Sequence, residues 1–244
     1  ANEGARSFTY ESTRERTPLG HVHREQVRDL SIAETREMYR QAIGRLLNEV
    51  AETEQFSGAG IVAIDITEAD PFTGDRTGHE DEIIGTKEKT DEYAYQWATV
   101  QLVGNAVPLV LDARPVRKGE SRLEIIEDLL DSAEELVHVD NVLMDREFDS
   151  QHILEMISQR GLSHVVPKRM QTSEKAQAKR LLKRGKNRYE TDRKLHLGKN
   201  EWHETTLIYR RKEDSEHDDH RQYSVFMSNC GSGHLTEYGY RWEI

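Results

Sequence analysis

The chain has 244 residues, 35 % of them hydrophobic and 32 % charged, which is enough for one large domain or two small ones around a core drawn from a few apolar runs. No run approaches membrane-spanning length, and the single cysteine, Cys230, excludes an internal disulfide and a multi-cysteine zinc site. The formal net charge of -11, with arginine well ahead of lysine, fits the acidic surface of a halophile. An acidic balance normally argues against nucleic-acid partners, but in molar salt phosphate attraction is screened, so local charge is the better guide.

Residues 1–30 are polar and lack a clear period. The opening "ANEGARSF" has no apolar signal region and no initiator Met, which suggests a cytoplasmic chain that begins inside a longer reading frame. Ser31 and Glu34 have capping-box spacing. Behind them Tyr39, Ala42, Ile43, Leu46, Leu47 and Val50 recur at helical spacing, which predicts an amphipathic helix over 32–54. "GIVAIDIT" then reads as a buried strand ending near Asp65, followed by a polar loop through about Asp91. "YAYQWATVQLV" and "AVPLVLDARPV" are two strands whose short "GN" link predicts antiparallel pairing. Ser121 opens a helix with Leu123, Ile126, Leu129, Leu130 and Ala133 on one side. "VDNVLMD" is a strand ending at Asp145, "SQHILEMISQRG" a helix with a Gly stop, and "SHVVPKR" a short strand.

This order predicts a mixed sheet flanked by helices. If the helix after Ser121 is a crossover, the strand ending at Asp145 runs parallel to the one ending at Asp65, and the two carboxylates share one end of the sheet. Carboxylates on adjacent strand ends suit a hard divalent ion: Mg2+ takes oxygen ligands and often only one or two protein carboxylates. Each Asp alone equally suits a turn or a cap. His79, Glu80 and Asp81, and "HDDH" at 217–220, imitate metal ligands but lie in polar loops and read as solvated. Trp97 and Trp202 lie in strands and read as packing residues.

Past Lys168 the texture changes. Lys168, Arg169, Lys179, Arg180, Lys183 and Arg184 belong to a cationic stretch over 168–188 whose one acid is Glu174. It suits either a grip on a DNA backbone or a solvated helix face, and its few aromatic residues argue against base stacking. "RYETDRKLHL", "EWHETTLIYRR" and "QYSVFMSN" alternate like strands.

Taken in order, "VAIDIT", "VLMDREF" and "YGYRWEI" resemble the DDE-type transposases of bacterial and archaeal insertion sequences, in the group with a β-rich insertion before the final Glu. In that group the first Asp ends the first strand, as Asp65 does here. The second stands in a D-R-x-F motif, matched by Asp145, Arg146 and Phe148. The third acid belongs to a helix motif Y-x-x-R-x-x-x-E-x-x-x-x-x-x-K, whose first two positions are matched by Tyr238 and Arg241.

The resemblance covers residue 59 to the end and implies a ribonuclease-H-like fold. It implies Mg2+ (or Mn2+) held by Asp65 and Asp145, two-metal hydrolysis at element ends, and attack of the freed 3′-hydroxyl on target DNA. Double-stranded DNA and a second copy of the chain are the implied partners, with Arg146, Tyr238 and Arg241 near the DNA. The expected organisation is a polar segment and helix over 1–58, the catalytic core over 59–168, a basic and β-rich insertion over 169–233, and the start of the final helix over 234–244.

The motif's Glu falls four residues after Arg241, at a position past Ile244. Glu243 and Glu237 lie off the face shared by Tyr238 and Arg241. The expectation is a chain that stops short of its third catalytic acid and does not itself cleave DNA. The alternatives are an inactive DNA-binding remnant, a ribonuclease-H-like nuclease, or an acidic structural domain whose Asp residues are caps.

Overall fold

The computed structural model describes Glu25 and residues 28–50, 60–85, 92–104, 108–196, 202–213 and 215–230. Helix α1 (Ile32–Val50) begins on the predicted capping box. The Ser31 N–H donates to Glu34 Oε2 at 2.8 Å and the Glu34 N–H donates to Ser31 Oγ at 3.2 Å, so two amides at the helix start are satisfied reciprocally. Residues 51–54 of the predicted helix lie outside the described residues.

There follow β1 (Ile61–Phe72), β2 (Ile83–Gly85), β3 (Tyr93–Val103), β4 (Leu109–Val116), α2 (Arg122–Leu136) and β5 (Asn141–Met144). After a 3-10 turn (Arg146–Phe148) come α3 (Gln151–Gln159), β6 (Ser163–Pro167), α4 (Thr172–Lys183), β7 (Arg188–His196) and β8 (Trp202–Arg211). A second 3-10 turn (His220–Gln222) leads into β9 (Tyr223–Ser228). Among the described residues this is a mixed α/β protein with four helices and one nine-stranded open sheet, ordered β2-β3-β1-β5-β6-β9-β8-β7 with β4 also paired to β3. β1, β5 and β6 run parallel, and every other pairing is antiparallel.

The parallel pair β1–β5 requires a crossover, which runs through β3, β4 and α2. Ser121 caps α2 by accepting the Leu123 N–H, and Ile125, Ile126, Leu129, Leu130 and Ala133 are buried beneath it. Gly161, at φ +77°, stops α3 and sends its N–H back to Ser158 O at 2.9 Å.

Strand alternation divides the sheet into two faces. Val62, Ile64, Val100, Val142, Met144, Val166, Leu207 and Met227 join one large cluster with buried residues of all four described helices. Ile61, Ala63, Leu143, Val165, Ile208 and Phe226 form a smaller cluster on the opposite face. The mixed sheet is flanked by helices as the sequence pattern predicts, and all four described helices share one face. Buried Asp112 of β4 binds Arg36 of α1, Arg36 also reaches Asp128 of α2 at 3.0 Å, and Asp128 holds Arg114 of β4 at 3.0 Å.

β1 departs from its predicted end. It continues past Asp65 through Phe72 because β3 runs beside it, from Ile61↔Val103 to Phe72↔Tyr93, with a register shift between Glu68 and Pro71. The predicted polar loop also contains β2, paired to Tyr93–Tyr95.

The packing around Gly60 and His164 has measurable consequences. Gly60 O accepts the N–H groups of Asp140 (2.6 Å) and Asn141 (3.0 Å), and a Cβ on Gly60 would lie 2.2 Å from His138 O. Gly60→Ala is expected to lower stability by about 1–3 kcal/mol, read as a shifted urea midpoint at constant m-value; an unshifted midpoint contradicts the close approach. His164 of β6 is fully buried, and neither ring nitrogen has a hydrogen-bond partner among the described residues. Its ring lies 5.6 Å from that of His203, whose Nδ1 is 2.7 Å from Glu155 Oε2.

Burial, helped by His203, pushes the His164 pKa from 6.5 down to about 3. Between those values the unfolded chain binds a proton that the folded chain does not. Stability therefore falls as pH drops through that window, by up to about 1.4 kcal/mol per pH unit. His164→Leu should flatten the dependence in denaturation curves taken between pH 6.5 and 4; an unchanged slope would assign it elsewhere.

Candidate metal and nucleic-acid site

β1 and β5 pair from Ile61↔Asn141 to Ile64↔Met144. The next residue on each strand is Asp65 and Asp145. Hydrogen-bonded strands lie about 4.8 Å apart, so the two carboxylates leave adjacent backbones at the point where the parallel ladder ends. Two residues back, Ala63 and Leu143 belong to the smaller cluster, and the alternation of side chains puts both Asp residues on that same face, which none of the described helices covers. Both are partly exposed.

Asp65 Oδ2 accepts the Thr67 hydroxyl at 3.2 Å. Asp145 Oδ1 accepts the Arg146 N–H at 2.6 Å and caps the 3-10 turn, whose Phe148 is fully buried in the main core. The cap foreseen for Asp145 is thus present. It does not preclude a metal, because a carboxylate has two oxygens and about four acceptor positions. Two partly exposed carboxylates suit a hard cation such as Mg2+, which commonly completes its shell with water and phosphate oxygens. Among the described residues no group of three or more His, Cys, Asp or Glu side chains is arranged to hold a metal.

The structure separates the predicted DNA-binding cations. Arg146 is exposed beside Asp145. Lys168 turns inward and binds Asp149 at 3.0 Å, which ties the end of β6 to the turn after Phe148. Arg169 is exposed. Lys179, Arg180, Lys183 and Arg184 are exposed on or just after α4, whose Ala178 and Leu181 pack into the main cluster and whose buried Glu174 binds Arg193 of β7. They therefore stand on the helix-bearing side, across the sheet from Asp65 and Asp145. Tyr238 and Arg241 lie outside the described residues.

Trp97 and Trp202, expected to pack, are 41 % and 49 % exposed. Both alternate onto the face that none of the described helices covers. Trp97 pairs with Thr67 while Asp65 pairs with Thr99, so Trp97 is a diagonal neighbour of Asp65, within reach of a long side chain. His79, Glu80 and Asp81 are exposed. In "HDDH", Asp219 caps the second 3-10 turn and binds Arg221 at 3.0 Å. Asp149 carries no signal in the sequence, because only the fold brings it against Lys168.

A large cleft of about 990 Å³ opens at the N-terminal ends of β1, β5 and β6, around Gly60, Asp140, Asn141 and Ser163. That is the opposite end from the carboxylates, whereas ligands of open α/β sheets usually bind beyond the carboxyl ends of the parallel strands. None of the described helices is long and apolar enough to cross a membrane. No family model matches the chain, and no curated protein matches it.

Proposed function

We propose that the chain is the catalytic region of a DDE-type insertion-sequence transposase, a metal-dependent phosphoryl-transfer enzyme that cuts double-stranded DNA at element ends and joins the freed 3′-hydroxyl to target DNA. The observation that carries this reading is the juxtaposition of Asp65 and Asp145, one residue past Ile64↔Met144, on the face that none of the described helices covers. The element order supports it. Leaving aside short β2, it is strand, strand, strand, helix, strand, helix, strand, with the fourth strand parallel to the first, as a ribonuclease-H-like core requires.

Asp65 and Asp145 would hold Mg2+ (or Mn2+), which when bound supplies Lewis-acid stabilisation and an activated oxygen nucleophile at phosphorus. Asp145 is oriented by its cap bond to Arg146, and Phe148 anchors that turn in the core. Arg146 presents a planar donor fork suited to phosphate beside the carboxylates. Tyr238 and Arg241 match, on this reading, the motif that carries the third acid. The partners are double-stranded DNA and a second copy of the chain, in the cytoplasm.

The cap bond of Asp145 favours one other reading, an acidic structural domain whose Asp residues are caps. Metal binding separates the two. Calorimetric titration with Mn2+ is expected to show binding to the chain that weakens at least about tenfold in Asp65→Asn and in Asp145→Asn, since each removes a direct ligand. Unchanged affinity in both variants removes the metal site and leaves the non-catalytic reading.

A further inference from the structure

The parallel ladder to β1 ends at Met144, so Asp145 is the first residue of β5 whose backbone that pairing does not fix. The 3-10 turn that follows fixes it instead, and the turn is held at both of its ends. At the start, Asp145 Oδ1 accepts the Arg146 N–H at 2.6 Å. At the close, the Lys168 ammonium donates to both oxygens of Asp149, at 3.2 Å and 3.0 Å. Between them the Asp149 N–H donates to Arg146 O at 3.2 Å.

The two clamps lie on opposite faces of the sheet. Alternation from Val166 puts Lys168 on the helix-bearing face, where Phe148 is buried, whereas Asp145 alternates onto the other. Lys168 is itself fixed by the sheet. β6 pairs with β5 through Leu143↔Val165 and, counted on from that pair, brings Pro167 level with Asp145. The Lys168 N–H donates to Val225 O of β9 at 2.7 Å. Its stem therefore leaves a strand held on both sides, one residue past the level of Asp145, and the turn packs against that strand.

The side chains of Lys168 and Asp149 are only 11 % and 21 % exposed. Removing one partner of a largely buried ion pair is strongly destabilising, because the other charge is left without compensation. Asp149 without Lys168 turns toward water and pulls on the turn, Arg146–Phe148, that joins it to Asp145.

We infer that Lys168 and Asp149 are positioning residues for the metal-binding carboxylate of Asp145. Their ion pair closes the turn on the helix-bearing face and thereby sets where Asp145 points on the other. The inference rests on the proposed function for the metal. Its own grounds are the contact to both carboxylate oxygens, its burial, and the register of β6 beside β5. The Lys168 charge is engaged by Asp149, which sets this residue apart from the exposed cations of α4.

The test is a double-mutant cycle on the full chain: Lys168→Met, Asp149→Asn and the two together. The readouts are Mn2+ calorimetry, residue-resolved amide exchange in metal-free protein, and thermal melts. Each single variant should weaken Mn2+ binding about tenfold, the lower end of what loss of a group behind a metal ligand costs. The double variant should bind no more weakly than either single, since both remove the same pair. Without metal, the Arg146 and Asp149 amides should exchange at least about tenfold faster in each single variant, because local opening becomes easier, while amides of the β1–β5 ladder keep their rates. Asp149→Asn keeps the shape of its side chain, so the pair stays testable if Lys168→Met does not fold.

A merely structural role lowers the melting temperature and leaves Mn2+ affinity, measured well below the melt, at the wild-type value. Wild-type Mn2+ affinity or wild-type exchange at Arg146 and Asp149 in either folded single variant, or additive losses in the double variant, overturns the inference. The two readings fail distinguishably. If Mn2+ binding weakens in Asp145→Asn but not in Lys168→Met or Asp149→Asn, the metal site stands and the positioning falls. If Mn2+ ignores Asp65→Asn and Asp145→Asn, the proposed function falls and this inference falls with it, whatever the exchange rates.

Discussion

Four residue pairs, Ile61↔Asn141 through Ile64↔Met144, set the position of the carboxylates. A parallel ladder this short gains little from its own hydrogen bonds. It is held by what packs on it: Val62, Ile64, Val142 and Met144 enter the main cluster on one side, and Ile61, Ala63 and Leu143 the smaller one on the other. A slip of one residue would turn every one of these side chains to the wrong face, so the register is fixed strongly. Asp65 and Asp145 inherit that precision, because each is bonded directly to the last paired residue.

The crossover between β1 and β5 has to return the chain in register, and it is braced for this. Arg36, Asp112, Asp128 and Arg114 link α1, β4 and α2 on the helix-bearing face, with Asp112 fully buried. A buried carboxylate persists as an ion only when paired, so Asp112 demands Arg36 and thereby fixes where α1 lies. At the start of the ladder, Gly60 lets its carbonyl receive both Asp140 and Asn141 amides. All four described helices are gathered on one face, and the carboxylates and Trp97 alternate onto the other.

What is legible in the sequence is local. Ser31 with Glu34, and Ser121 ahead of Leu123 and Ile126, announce their helices because capping and a period near 3.6 residues are short-range properties. The adjacency of Asp65 and Asp145 is accessible because both follow apolar runs and because crossovers have a fixed hand. The continuation of β1 is not, since Thr67 to Pro71 carries two acids and a proline and reads as a loop. Its strand character comes from β3, which lies more than twenty residues further along the chain. Trp97 reads as a packing residue for a related reason: a strand's alternation identifies two faces, but only tertiary packing decides which one is covered. His164 reads as an ordinary strand residue, and its burial without a hydrogen-bond partner among the described residues is a property of the helix-bearing face.

Where the cations stand is beyond any reading of charge along the chain. The conspicuous cationic run at 168–188 folds largely onto α4, where a helix with a narrow buried stripe exposes its lysines on the side away from the carboxylates. Lys168, at the start of the run, turns inward to Asp149. The net charge of -11 is no objection to the proposed DNA partner at high salt. At about 1 M salt the screening length is about 3 Å, so net charge exerts little pull or push at the distance of an approaching duplex. Direct guanidinium–phosphate hydrogen bonds operate inside that length and retain directionality. On the proposed function, a chain of net charge -11 that engages DNA at high salt needs a few well-placed cations more than it needs a basic surface.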